Sequence, residues 1–344
     1  MAEIELTLWY AIEDSEQYTW AKNPTHEIQQ AQIYGDLNIH WPLVLHLLRR
    51  RTEKVFQVGW ASPTTKMLVV VFFLFRRPYN MWTDYPNDAK KRSRITHYLR
   101  EFFYCLLKYS KTNIFCVGKM TVDYFVGRGF SKVRLINMPI PVETSKSKMD
   151  YLQDRERIRL KYHVTHDDLF LVSGSRLTFD KGYDLLIKAL SIFSSVMRRR
   201  VKALIIGEGE EKENLLQQIQ DEGLTGQVFI EDWMEVDEYL AHIANADAYV
   251  HPARFDAYGG SIFAMALGVP VLGSSGAGAV IDNIESDVNG IIFQNNNVYS
   301  LNKRIAEIIK KYDLAELGTK MRQKMVKNDF KGSIHEKLVA NLLG

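Results

Sequence analysis

Residues 168–193 read DLFLVSGSRLTFDKGYDLLIKALSIF. The run Leu169-Phe170-Leu171-Val172 is short, apolar and rich in branched side chains, and it stops at Gly174-Ser175. That pattern predicts a buried strand from Asp168 to Gly174. From Gly182 the apolar residues switch to helical spacing: Tyr183, Leu185, Leu186, Ala189, Leu190 and Phe193. A strand, a loop carrying Arg176 and Lys181, and a helix therefore follow one another within these residues.

The same grammar repeats downstream. Strands are expected at Lys202–Gly207, Val228–Ile230, Ala248–Val250, Pro270–Leu272 and Gly290–Phe293. Helices are expected at Glu211–Glu222, Glu238–Ala246, Gly260–Leu267 and Leu301–Tyr312. Strands alternating with helices of about ten residues imply a parallel sheet covered on both faces, a doubly wound α/β domain. In such a sheet ligands sit beyond the carboxyl ends of the strands.

The first half repeats the pattern more faintly. Strands are expected at Glu5–Ala11, Val55–Val58, Met67–Phe75, Tyr79–Trp82, Asn113–Val117 and Val133–Asn137. Helices are expected at Trp41–Arg51, Arg94–Tyr109 and Met120–Gly127, and the polar stretch Thr144–Asp154 reads as a linker. This places one domain at 1–150 and a second at 151–344, as a length of 344 residues suggests.

Composition narrows the class. The chain is 46% hydrophobic and 25% charged, which excludes a disordered or collagen-like chain. Its two cysteines, Cys105 and Cys116, exclude a disulfide scaffold and point to a reducing compartment. The acidic start Met1-Ala2-Glu3-Ile4-Glu5 does not resemble a secretory signal. The longest apolar run, Met67–Phe75, is far short of the roughly 20 residues a spanning helix needs. It reads as a buried parallel strand or, more sharply, as a membrane-touching segment. The net charge of +3 hides an asymmetry: residues 1–155 carry 22 Lys and Arg against 15 Asp and Glu, or +7. The remaining residues balance this at −4. A basic first half fits an anionic membrane or a phosphorylated substrate. No recognition motif for nucleic acid accompanies the charge.

The chemistry is concentrated at strand ends of the second domain. After the first strand come Gly174, Ser175, Arg176 and then Lys181-Gly182. The fork of Arg176 and the point charge of Lys181 suit a phosphate at a helix start. After the second strand, Gly207 and Gly209 allow a tight turn and close approach of a ligand. A third loop reads His251-Pro252-Ala253-Arg254-Phe255-Asp256-Ala257-Tyr258-Gly259-Gly260-Ser261. Its Gly259, Gly260 and Ser261 offer backbone N–H groups to a second anion. Asp256 suits sugar hydroxyls, or alternatively an N-cap role. Two anion cradles suggest a diphosphate; without a tight GxGxxG after the first strand, an NAD site is disfavoured.

These residues, with Ala264-Met265-Ala266-Leu267-Gly268-Val269-Pro270-Val271 and Asn289-Gly290-Ile291-Ile292-Phe293, resemble the family-4 retaining glycosyltransferases over about 160 residues of the second domain. The resemblance implies a GT-B fold: two Rossmann-like doubly wound domains facing a central cleft, the last helix crossing back to the first domain. It implies a UDP- or GDP-sugar donor held by the second domain, with Arg176 and Lys181 on its diphosphate. Asp256 would stand at the first acidic position of the family, and Gly174, Ser175, Gly207, Gly209, Tyr258, Gly259, Gly260 and Ser261 would line the donor site. The acceptor would be a glycan, a lipid-linked sugar or another glycoconjugate, used in surface polysaccharide synthesis in the cytoplasm or at the inner membrane face.

The family's second glutamate is missing, with Phe263 or Ala264 in its place, so ribose recognition would be altered or fall to Glu231 or Asp232. The first domain is short and lacks a glycine-rich loop after its first strand. There Asp84 is the acceptor-side candidate, against the plainer reading of a buried structural aspartate. No Asp-x-Asp motif follows a strand, so no metal and no cofactor beyond the donor are expected. Retention by front-face attack needs no protein nucleophile. The alternatives are a catalytically degenerate partner protein and, more remotely, a nucleotide-sugar epimerase. His251 and Arg198-Arg199-Arg200 read as structural.

Overall fold

The computed structural model describes residues 8–12, 31–35, 38–50, 53–60, 62–86, 93–140 and 142–327. The chain divides into two compact units, one built mainly on residues up to Ile136, the other on Asn137 onward.

Two parallel sheets form the first unit. Strands β1 (Leu8–Ile12) and β2 (Ala31–Gly35) pair alone, with Leu8 opposite Ala31. A four-stranded sheet runs in the order β3 (Phe56–Val58), β4 (Asn80–Thr83), β5 (Asn113–Cys116), β6 (Leu135–Asn137). Between them lie α1 (Trp41–Arg49), α2 (Pro63–Leu74), α3 (Arg94–Tyr109) and α4 (Gly118–Gly127). Phe72, Met81, Leu107 and Ile114, all fully buried, make the centre of this core.

The apolar run Met67–Phe75 is helix, not the strand its composition suggests. Topology explains the difference. Strands β3 and β4 pair in parallel, Phe56 opposite Asn80, and parallel neighbours need a crossover between them. The crossover starts where Ser62 caps it, the hydroxyl accepting from Thr65 N–H at 3.2 Å, with Pro63 in the first turn. Arg77 closes the segment by donating to the carbonyls of Arg50 and Glu53 at 3.0 and 2.9 Å.

The stretch 144–154 is also more ordered than a linker. A 3-10 helix covers Lys148–Asp154, capped by a reciprocal Ser147–Asp150 pair. Its Tyr151 is buried, and its carbonyl accepts from Asn245 Nδ2 at 2.8 Å.

The second unit begins with α5 (Arg155–Lys161) and β7 (Leu169–Gly174), which is buried along its whole length. Then follow α6 (Tyr183–Ser191), α7 (Ser195–Arg199), β8 (Val201–Ile206), α8 (Lys212–Asp221), β9 (Val228–Glu231), α9 (Val236–Ala244) and β10 (Ala248–His251). The chain continues through α10 (Ser261–Leu267), β11 (Val271–Ser274), α11 (Gly278–Asn283), β12 (Ile291–Phe293), α12 (Val298–Lys310) and α13 (Leu314–Lys327). The six strands run parallel in the order β12-β11-β10-β7-β8-β9. The order reverses between β7 and β10, so these adjacent strands diverge into opposite halves of the sheet. Such a switch point opens a crevice beyond the strand ends. Helix α13 packs on α10 within this unit; any crossing of the chain beyond Lys327 lies outside the described residues.

Candidate active site

The sequence-derived candidates from the loops after β7 and β10 meet at this switch point. The 3-10 turn Phe179–Lys181 presents Lys181, and Gly182 turns the chain into α6 with φ of +70°. A Cβ on Gly182 would lie 2.3 Å from the carbonyl oxygen of Pro252, so only glycine lets the two loops approach.

Arg254 ties the loops together from the other side. Its guanidinium donates to both carboxylate oxygens of Asp184 at 2.6 Å and to the Phe179 carbonyl at 2.9 Å. It also donates to Asn296 Oδ1 at 3.0 Å and stacks 4.0 Å above the Phe179 ring. The N–H groups of Arg254 and Phe255 both donate to the Asp180 carbonyl.

Inside this clamp sits a buried charged cluster. Lys181 Nζ lies 2.9 Å from Asp256 Oδ2, and His251 Nε2 lies 3.2 Å from the same oxygen. All three side chains are less than a tenth exposed. Burial alone would raise the Asp256 carboxyl, but His251 and the Lys181 charge outweigh it and hold the group well below the usual carboxylate range. Gly259 closes over the cluster: a Cβ there would fall 2.1 Å from Asp256 Oδ2. The backbone of Asp256 is pinned in turn to the loop after β11, its N–H donating to Gly276 and its carbonyl accepting from Gly278.

Arg176 stands apart. It is exposed and makes no ion pair with any described residue. The main chain around it is fixed against the loop after β8: Ser175 N–H donates to Ile206 O, Leu177 N–H to Glu208 O, and Glu211 N–H to Leu177 O. Gly207 is buried against this backbone, while Gly209 is exposed.

Beneath the loop lies a layer of buried hydroxyls. Tyr249 and Tyr239 both donate to the Gly174 carbonyl, at 2.9 and 3.2 Å. Tyr183 and Ser175 share a hydrogen bond of 2.6 Å. Burial pushes the Tyr239 hydroxyl up to about 12, so it remains a donor at neutral pH. This layer fixes Gly174 and Ser175 from below; the tyrosines escaped the sequence reading because their apolar spacing marks them as core.

The third loop divides. The N–H groups of Gly259, Gly260 and Ser261 donate to no described carbonyl. The Ser261 hydroxyl is buried without a partner among the described residues. Tyr258 turns inward, its hydroxyl accepting from Asn283 Nδ2 at 3.0 Å. Of the two replacements for the second family acid, Ala264 is buried and Phe263 is half-exposed, edge-on to Tyr239. Glu231 and Asp232 are engaged by Lys161 and Lys212. Asp84 follows β4 and is exposed, so the reading of it as a buried structural residue does not hold. Asn289 is structural: its side chain donates to the Asn283 carbonyl at the end of α11 and accepts from Glu285 N–H.

The fold is that of the two-domain GT-B glycosyltransferases. Anabaena HepE in complex with UDP superposes with a TM-score of 0.73 at 17% identity, covering 91% of this chain and 86% of that one. WaaG, a glycosyltransferase involved in lipopolysaccharide biosynthesis, gives 0.68 at 15% identity, with 91% and 87% covered. The family model described as "Glycosyl transferases group 1" matches residues 154–331, and the chain belongs to that family. It is 29% identical over 189 residues to a GDP-mannose-dependent alpha-(1-6)-phosphatidylinositol monomannoside mannosyltransferase of Mycobacterium tuberculosis. That match covers 52% of this chain and 47% of the relative, so the chain spans about half the length of the curated relatives it matches. An O-antigen biosynthesis glycosyltransferase of Escherichia coli is 27% identical over 128 residues, 37% of this chain and 34% of the relative.

Proposed function

We propose that the chain is a retaining, metal-independent glycosyltransferase that moves a hexose from a UDP- or GDP-sugar to a glycan, lipid-linked or other glycoconjugate acceptor in surface polysaccharide synthesis. The observation that carries the reading is the pairing of an exposed Arg176, with no acidic partner among the described residues, with a buried Lys181 on one loop of the switch point. The leaving nucleoside diphosphate gathers negative charge as the glycosyl group takes on oxocarbenium character. Arg176 supplies a planar fork to that charge from a fixed main chain, and Lys181 a point charge already held by Asp256. The N–H groups of Gly259, Gly260 and Ser261 add neutral donors. Asp256, facing Lys181 and His251, positions the lysine and takes the place of the family's first acid toward the donor sugar.

The names of the relatives support this donor class: one is GDP-mannose-dependent, and another structure carries UDP. The basic first half supports a peripheral contact with an anionic membrane at its cytoplasmic face. Among the described residues no helix is long and apolar enough to cross a membrane.

The test is a panel of nucleoside diphosphates and nucleotide sugars, read by thermal shift and by release of the diphosphate. UDP or GDP is expected to stabilise the chain, and Arg176→Ala and Lys181→Ala each to reduce that shift while retaining the native circular dichroism. Normal binding by both variants refutes the diphosphate site. Binding without turnover of any donor would favour the degenerate partner protein, the reading that the missing second acid at Phe263 or Ala264 supports.

A further inference from the structure

Helix α10 is buried except at one residue. Ser261, Ile262 and Ala264 to Leu267 all turn inward, while Phe263, in the first turn, is 40% exposed. That turn stands directly over the end of β7. A Cβ on Gly260 would lie 2.8 Å from the Gly174 carbonyl oxygen, and 2.8 and 2.9 Å from the Tyr249 and Tyr239 hydroxyls. Phe263 N–H donates to the Gly260 carbonyl at 3.1 Å, and its side chain leans back toward the strand ends, as helix side chains do. Its ring lies edge-on to Tyr239 at 6.4 Å.

These contacts run in order across the site: Gly259 closes on Asp256, Gly260 on Gly174, and Phe263 on Tyr239. With the donor sugar toward Asp256 and the diphosphate between, the nucleoside is attached at the far phosphate, and its ribose falls beside Phe263. The polar groups around that place are already spent. The Tyr239 and Tyr249 hydroxyls donate to the Gly174 carbonyl, and Tyr183 is bonded to Ser175. At the end of β9, Glu231 Oε1 pairs with Lys161 Nζ at 2.9 Å, and Asp232 pairs with Lys212. The Ser261 hydroxyl has no partner among the described residues, but it is enclosed beneath the turn. Ala264 is fully buried, so position 263 is the part of α10 that a nucleoside can touch. A ribose hydroxyl turned toward the Phe263 ring loses its hydrogen bonds to water and finds no acceptor in return. A site that hydrogen-bonds a hydroxyl rejects the analogue lacking it, whereas a hydrocarbon wall does not.

We propose that Phe263 removes selection for the ribose 2′-hydroxyl, so that the donor site takes 2′-deoxyribonucleoside diphosphate sugars as readily as their ribonucleotide counterparts. The assignment rests on the donor site proposed above, and the experiment separates the failure of one from the failure of the other. Binding of UDP and dUDP, and of GDP and dGDP, to the full chain is measured by isothermal titration calorimetry; the two members of each pair differ by the 2′-hydroxyl alone. For whichever base binds, the deoxy form is expected to bind as tightly as the ribo form, or more tightly. Phe263→Glu places a carboxylate at the same half-open position. Whatever it does to overall affinity, it should move the ratio toward the ribo form by about tenfold or more, the worth of a hydrogen bond to a charged acceptor.

Three outcomes overturn the proposal. A parent that prefers the ribo form by more than about threefold leaves the donor site standing and gives the hydroxyl to another group, such as the exposed Glu208. A parent indifferent to the hydroxyl, whose ratio Phe263→Glu leaves unchanged, puts the ribose away from position 263. Binding of neither pair removes the donor site itself, and this assignment with it.

Discussion

Replacing Asp256 by asparagine isolates the charge arrangement on which the site depends. At 2.9 Å and an effective dielectric of about 20, Lys181 and Asp256 attract by about 6 kcal/mol before desolvation is subtracted. The substitution keeps the shape and removes the charge, which leaves Lys181 buried with Asp180 as its nearest carboxylate at 3.7 Å. Asp180 is about a third exposed, so water screens much of what it could return. Breaking one side of a buried pair costs about 3–5 kcal/mol, and the partial help of Asp180 sets the expectation near the lower end. For a unit of this size, that lowers the thermal midpoint by about 6–12 °C.

The assay is urea unfolding at pH 7, following the transition of the second unit with and without UDP or GDP. A double-variant cycle completes it. Asp256→Asn with Lys181→Met removes both charges and should recover most of the loss, because an apolar replacement of a buried pair is close to neutral. A coupling of about 3 kcal/mol between the two positions is the expected result. If Asp256→Asn unfolds within about 1 kcal/mol of the parent, the pair is not holding Lys181 in a dry site.

The depressed Asp256 carboxyl predicts a pH dependence of definite sign. Its contribution is full above the unfolded carboxylate value of about 3.9 and is lost as pH falls toward the lower folded value. The urea midpoint of the parent should therefore drop more steeply than that of Asp256→Asn on going from neutral into strongly acidic buffer. Gly182→Ala should cost about 2–3 kcal/mol, from the positive φ and the 2.3 Å approach to Pro252, as read by the same unfolding curves. Arg254→Lys should destabilise nearly as much as Arg254→Ala, by about 1–3 kcal/mol, because an ammonium cannot reproduce the fork that grips Asp184. Equal stability of the lysine variant and the parent would show that the charge alone suffices. In the first unit Phe72→Ala should cost about 3–5 kcal/mol from the core cavity, visible as a lower transition of that unit.

The two halves of the chain were unequally legible. In the second unit each predicted strand is present within two residues at either end, from β7 to β12. Strands buried on both faces read as uninterrupted apolar runs, and the glycines at 174, 207, 223 and 268 punctuate them. The misses there, α5, α7, α11 and α13, are short or polar helices whose weak periodicity gives little to detect. In the first unit the same rule that worked for β7 misread α2. Both segments are apolar without a period, and composition cannot separate them. Ser62-Pro63 was the available signal, a helix start immediately before the run.

For the site, residue type was legible and partnership was not. The sequence marks Arg176, Lys181 and Asp256 because cations and an acid stand just after strands, where a parallel sheet places its ligands. It cannot say that Lys181 meets Asp256, because alternation of strands and helices does not give the order of strands in the sheet. β7 and β10 are separated by two other strands along the chain and become neighbours only through the reversal at the switch point. The same step brings Arg254 onto Asp184, 70 positions away, whereas His251, which ends β10, meets Asp256 within the one loop that follows that strand. Three residues that read separately as a cation, an acid and a packing histidine thereby become one buried unit. On the proposed reading, with Asp256 neutralising Lys181, Arg176, exposed and without an ion-pair partner among the described residues, would draw the diphosphate from solution, and Lys181 would act at short range once the ligand has displaced water. Arg176→Ala should then weaken nucleotide binding with a marked loss of its salt dependence, and Lys181→Met should weaken it with the salt dependence kept. Identical salt profiles for the two variants would refute this division of labour.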